Sequence, residues 1–174
     1  MNKKIWLFGA TEFQGNPKAL FVYLNRNQTF QFNIYSYWIA DRQEQVNYIN
    51  SLGFQSYLMG SKKADELFSV ANVYVVENFR ESSLPFQINP NITIANLWHG
   101  VGIKFVEFGL SKQSSLSTSI VKKNIRNFSF YRNNLCFLST SKMMEQHFTQ
   151  EMRLLQEQFI RSVYPRNLIA QLGN

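Results

Sequence analysis

The chain is poor in cysteine, histidine and long apolar runs, and each shortage closes off a class of protein. A single cysteine, Cys136, stands in 174 residues. An intrachain disulfide framework is therefore impossible, which fits a reducing compartment. Cys136 lies within Leu-Cys-Phe-Leu and reads as a small residue of a buried strand. The two histidines, His99 and His147, are distant in sequence. With one cysteine they cannot complete a closed zinc site, so no metal is expected. No stretch approaches the roughly 18 to 20 apolar residues that span a bilayer. The apolar run behind Lys3 and Lys4 ends within about five residues, too short for a signal peptide, and reads as a first strand. A cytoplasmic protein whose membrane contact is peripheral is expected.

What the chain does have is aromatic mass, with 16 Phe and 8 Tyr. A hydrophobic fraction of 45% over this length supports one full-sized domain, residues 1–174, with a single core. The net charge of +7 is unevenly spread: residues 1–99 hold 8 basic and 7 acidic groups, residues 100–174 hold 10 and 4. Such an excess attracts anionic lipid, nucleic acid or phosphorylated substrates. The aromatics fall mostly at strand and helix core positions, so nucleic acid is not an expected partner.

Periodicity divides the chain into strands and helices. Strands are expected at residues 4–8, 32–39, 56–59, 73–76, 92–97, 135–138 and 159–163. The run at 73–76 is apolar throughout, as in a strand covered on both faces. Asn16-Pro17 is expected to cap and open a helix over 17–25, with Ala19, Leu20, Tyr23 and Leu24 as its buried stripe. Asp41 with Glu44 resembles a capping box for a helix to Leu52, buried through Val46, Ile49 and Leu52 and stopped by Gly53. A third helix is expected at 62–70, and a fourth, capped by Ser139-Thr140-Ser141, runs with a break to Gln158. Residues 77–91 read as a polar loop, 111–119 as a Ser-rich stretch and 120–128 as a basic segment. Strands alternating with helices imply an α/β fold, a Rossmann-like parallel sheet with helices on both faces. Ligands of such sheets sit beyond the carboxyl ends of the strands. Residues 9–15, His99, residues 139–141 and residues 164–167 all follow strands and should converge on one rim.

His99 stands between Trp98 and Gly100 directly after an apolar strand. Its imidazole suits a general base near neutral pH, and a structural role fits the spacing as well. Gly100 and Gly102 permit close backbone approach to a ligand, and Lys104 could meet a phosphate. His147 sits in a helical stretch and reads as a surface or half-buried residue. Residues 9–15, bracketed by Gly9 and Gly15, lack the dinucleotide and Walker patterns. They could cradle a phosphate at a helix start, or serve only as a tight connection.

Four stretches, in order, carry a family likeness. Trp98-His99-Gly100-Val-Gly-Ile-Lys104 resembles the Trp-His-Gly-Thr-Pro-Leu-Lys signature of CDP-glycerol glycerophosphotransferases. Asn16-Pro17-Lys18-Ala19-Leu20 resembles that family's early Asn-Pro-Arg-Ala-Leu segment. Ser139-Thr140-Ser141 resembles its strand-end serine motif, and Tyr164-Pro165-Arg166-Asn167 its Gly-Tyr-Pro-Arg-Asn-Asp motif. Two departures stand out. The signature's Thr-Pro is Val101-Gly102 here, and the last motif lacks its leading Gly and trailing Asp.

The resemblance implies a GT-B architecture, of which this chain would be the N-terminal, acceptor-side domain with the C-terminal nucleotide-binding domain absent. It implies transfer of glycerol phosphate from CDP-glycerol, a donor substrate rather than a cofactor, to a membrane-linked acceptor in teichoic acid or capsule synthesis. His99 would be the base, with Gly9, Gly15, Asn16, Trp98, Gly100, Lys104, Ser139, Arg166 and Asn167 around the substrates. The expected partners are a lipid-linked polymer, the anionic inner face of the bacterial membrane and the absent C-terminal half. The chain alone is expected to show little or no transfer. The same descent would also admit a non-catalytic membrane- or polymer-binding module.

Overall fold

In the computed structural model, seven strands among the described residues form one sheet: β1 (Lys4–Phe8), β2 (Ile34–Ala40), β3 (Ser56–Leu58), β4 (Val73–Val76), β5 (Thr93–Asn96), β6 (Leu135–Ser139) and β7 (Phe159–Arg161). The structure describes residues 3–26, 33–78, 89–100, 106 and 134–172. Every strand pair is parallel, and the order is β3-β2-β1-β4-β5-β6-β7. The order reverses between β1 and β4, the switch point of an open doubly wound sheet.

Among the described residues five helices cover the sheet: α1 (Gly15–Arg26), α2 (Gln43–Ser51), α3 (Lys62–Val70), α4 (Lys142–Met152) and α5 (Pro165–Leu172). Successive strand residues point to opposite faces, and this splits the core in two. Leu7, Tyr74, Val76, Ile94 and Phe137 pack under α3 and α4 through Leu67, Phe68, Met144 and Phe148. Phe8, Trp38, Val75 and Leu138 pack under α1 and α2 through Phe21, Val46 and Ile49. Fully burying an aliphatic or aromatic side chain of this size stabilises by about 1.5–3 kcal/mol. The α/β class with helices on both faces of a parallel sheet is as the sequence pattern predicts.

The caps show where local chemistry decided and where it did not. Ser61 and Ser141 cap α3 and α4, each accepting from a backbone N–H, of Ala64 and Met144 respectively. Arg153 ends α4 in a left-handed turn, φ 57°, and a 3-10 turn, Gln156–Gln158, follows. This is the expected break before Gln158. Arg42, not Asp41, is the N-cap of α2, with no side-chain cap bond. Leu52 is the C-cap and is exposed, because it lies past the last helical residue. Gly53 has φ +84°, the left-handed stop its position predicts.

Helix α1 begins at Gly15, so Asn16 is inside the helix rather than at its cap. Its buried residues are Asn16, Pro17 and Phe21. Tyr23, expected on the buried stripe, is exposed. The register is set by Phe21, whose ring meets Phe8 at 5.4 Å and Trp38 at 5.5 Å. Residues 165–172, unassigned from sequence, form α5, which opens on Pro165 and packs on α1. Cys136 lies in β6 half-buried, and burial pushes its thiol pKa up. The Ser-rich and basic segments at 111–119 and 120–128 lie outside the described residues, as do Val101, Gly102, Lys104 and most of the 77–91 loop.

Candidate active site

The carboxyl ends of β1, β4 and β5 lie side by side at the switch point, and the chain after β5 turns across it. His99 is exposed there. Its Nδ1 lies 3.1 Å from the backbone oxygen of Glu77, the residue after β4. A carbonyl only accepts, so in the neutral ring Nδ1 carries the proton and Nε2 keeps its lone pair. The ring stacks on Trp98, centroids 4.3 Å apart and planes 30° from parallel. Trp98 is itself 6% exposed and wedged against Phe137 and Phe148. The imidazole thus rests on a fixed platform with one nitrogen held and the other available.

The backbone beneath it is unusual. Trp98 has φ +51°, a left-handed conformation that costs an L-residue about 1–2 kcal/mol. Asn96 Oδ1 accepts the Trp98 N–H at 2.9 Å. On the other side, Asn16 Nδ2 donates to the Trp98 oxygen at 2.7 Å and to the Leu97 oxygen at 3.3 Å. Asn16 Oδ1 accepts from the Arg166 N–H, and Arg166 Nη2 donates to the His99 oxygen at 3.0 Å. Tyr164 Oη donates to the Gly100 oxygen at 2.7 Å. Burial raises the Tyr164 phenol pKa, against the pull of Arg166, which keeps it a donor.

Asn16, Trp98, His99, Gly100 and Arg166, all candidates from sequence, are therefore brought together. Gly15 adjoins them at the start of α1, with φ +73°. A Cβ on Gly15 would run into the Glu77 carboxylate, and one on Gly9 into the Tyr74 ring. Both glycines are closely packed, and a side chain at either position would need a neighbour to shift. Phe13 pins the same loop by an edge-on contact with Trp38 at 4.8 Å. Gln45 Nε2 ties it to α2, donating to the Thr11 oxygen at 2.9 Å. The start of α1, where a phosphate would bind, has the chain's own carboxylate against it.

Ser139 does not join this group. It is fully buried, and its hydroxyl donates to Glu145 Oε1 at 2.7 Å. Glu145 is also held by Arg161, through Nε at 2.9 Å and Nη2 at 2.6 Å. These bonds, Arg161 first, keep the Glu145 carboxyl below the usual range. Asn167 is exposed in the first turn of α5. His147 is half-buried on α4, as expected. Sequence reasoning missed Glu77, Asn96 and Tyr164. Asn96 carried a signal, a polar residue inside an apolar strand; Tyr164 lay in a quoted motif but was not assigned a role.

Among the described residues no three His, Cys, Asp or Glu side chains group to hold a metal ion, and no helix is long and apolar enough to cross a membrane.

No curated protein matches the chain in sequence. Among solved structures it is similar to a variant of the wall teichoic acid polymerase TagF, at 17% identity and a TM-score of 0.71, over 97% of this chain and 40% of that one. A second TagF structure gives 15% identity and a TM-score of 0.67, over 98% and 40%. A glycosyltransferase from Rickettsia africae ESF-5 gives 10% identity and 0.51, over 92% and 43%. At these identities the likeness is one of fold, and the chain spans about two fifths of the length of the TagF chains. The sequence model described as CDP-glycerol:poly(glycerophosphate) glycerophosphotransferase matches residues 1–169. A match over nearly the whole chain, joined to the same fold, places this protein in the CDP-glycerol:poly(glycerophosphate) glycerophosphotransferase family.

Proposed function

We propose that the chain is the acceptor-side domain of a CDP-glycerol glycerophosphotransferase, and that His99 is its general base. The observation that carries this reading is an exposed imidazole at the switch-point rim whose Nδ1 faces a carbonyl, leaving Nε2 as the basic nitrogen. In the reaction, the terminal hydroxyl of a poly(glycerophosphate) acceptor attacks the glycerol-bearing phosphorus of CDP-glycerol. The bond from that phosphorus to the bridging oxygen breaks and CMP leaves. The hydroxyl proton passes to His99 Nε2 as the new P–O bond forms. Such transfers are driven mainly by positioning and by cations around the phosphoryl oxygens. Arg166, exposed beside His99, is the nearest cation described at this rim.

The donor is held by a second Rossmann-like domain, and the acceptor reaches the site from the inner face of the membrane. The Glu77 carboxylate beside Gly15 supports this division, since it takes up space at the helix start where a nucleotide phosphate would sit. CMP release from CDP-glycerol with a lipid-linked acceptor tests the reading. The chain alone should give little or none, and addition of a separately produced nucleotide-binding domain of the family should restore it. Failure of any such domain to restore release, with liposome binding intact in both wild type and His99→Ala, would leave a membrane-binding module instead.

A further inference from the structure

Four consecutive backbone oxygens, those of Leu97, Trp98, His99 and Gly100, are each taken by a side-chain donor from outside the turn. Asn16 holds the first two, Arg166 the third and Tyr164 the fourth. The donors come from α1 and from the entry to α5, so the two ends of the domain meet on this turn. Asn16 is 0% exposed and Tyr164 4%, so neither side chain is placed to touch a substrate.

The bracketed residue is the strained one. Trp98 has its N–H fixed by Asn96 and its oxygen fixed by Asn16, so its peptide groups are held on both sides. Left-handed backbone at a bulky residue persists only where the surroundings over-determine it, and it concentrates at functional sites. Relaxing Trp98 would swing the next residue, His99, off the Trp98 ring and away from the Glu77 oxygen. The Nδ1 proton would then lose its acceptor, and with it the preference for that tautomer.

We infer that Asn16 and Tyr164 are positioning residues that latch the Leu97–Gly100 turn and thereby set the tautomer and aim of the His99 ring. The latch deepens the reading of His99 as base and rests on it for its consequence in catalysis, but its geometry can be tested without turnover. It also replaces the expectation that Asn16 binds substrate.

The chain has only two histidines, so long-range proton–nitrogen NMR can resolve both rings, with His99→Ala assigning them. In the wild-type chain the neutral His99 ring should show the proton on Nδ1. Asn16→Ala should move most of the population to the Nε2-protonated form that free imidazole side chains prefer. Tyr164→Phe, which keeps the ring and loses one hydroxyl, should move it partway, and it decides the matter should Asn16→Ala not fold. Ser56→Ala, a buried-hydroxyl deletion on β3, is the structural control and should move nothing. With the nucleotide-binding domain supplied, Asn16→Ala should lower kcat by up to about 100-fold with little change in KM. An unchanged His99 tautomer in both latch variants, or an equal change in Ser56→Ala, overturns the latch. A shifted tautomer with kcat intact supports the latch and overturns His99 as the base.

Discussion

Two polar clusters sit on the same rim of the sheet, and they differ in what each leaves unused. Beyond β6 and β7, Ser139, Glu145 and Arg161 satisfy one another, and Ser139 is sealed. Beyond β4 and β5, Asn16, Asn96, Tyr164 and Arg166 satisfy the backbone of a turn, and the residue they present, His99, keeps a nitrogen for solvent. Both follow strand ends and both looked alike as sequence. A place at the carboxyl end of a strand makes a residue eligible for chemistry; spare hydrogen-bonding capacity decides whether it has any to offer. The cluster at β6 and β7 is best understood as a fastener for the edge of the sheet.

Four measurements press on that contrast. The largest effect is expected at His99, where His99→Ala should lower CMP release about 100-fold or more in the two-domain enzyme while leaving thermal stability unchanged. A matching drop in melting temperature would make His99 a structural residue like Ser139. Next comes Gly15→Ala, which forces left-handed backbone on an L-residue for about 1–2 kcal/mol and presses a methyl against Glu77. Urea unfolding should register that loss in full, and a neutral result would mean that the loop is free to move. Ser139→Ala should be milder, about 1 kcal/mol for one buried hydrogen bond. Turnover falling while stability holds would instead place Ser139 at the substrate.

The smallest effect is in pH. Because the folded Glu145 carboxyl is held low, its contribution is present above the ordinary carboxylate pKa and is lost as pH falls through the lowered value. Arg161→Gln removes the main cause and should shift acid unfolding to higher pH, without altering the alkaline limb. That limb carries Tyr74 and Tyr164, both raised chiefly by burial. Their contribution is whole below the free tyrosine pKa and drains away as pH climbs from there toward the folded values.

What could be read from sequence follows the range of the forces involved. The strands Lys4–Phe8 and Val73–Val76 and the helix Lys62–Val70 match the expected bounds, because an apolar run or a serine cap is local chemistry. The register of α1 was misread because it is set by packing of Phe21 on Phe8 and Trp38 rather than by its own stripe. Asn16 looked like a cap because its true partners lie 81, 82 and 150 residues away. The last helix was missed for want of length, although Pro165 marked its first turn. The site was legible as a set of names, and the likeness to one family drew most of them together. Their roles were not, since a buried asparagine and an exposed histidine differ only once the chain has closed on itself.

Glu77 carries a consequence of its own. In the dinucleotide-binding relatives of this architecture, the positive pole of the first helix is the seat of a pyrophosphate. Here that pole has beside it the carboxylate of Glu77, the residue after β4, and a Cβ on Gly15 would meet it. A glycine-bracketed loop after a first strand can therefore answer to close packing, and a screen that scored such loops by glycine spacing alone would not see the carboxylate that stands beside this one.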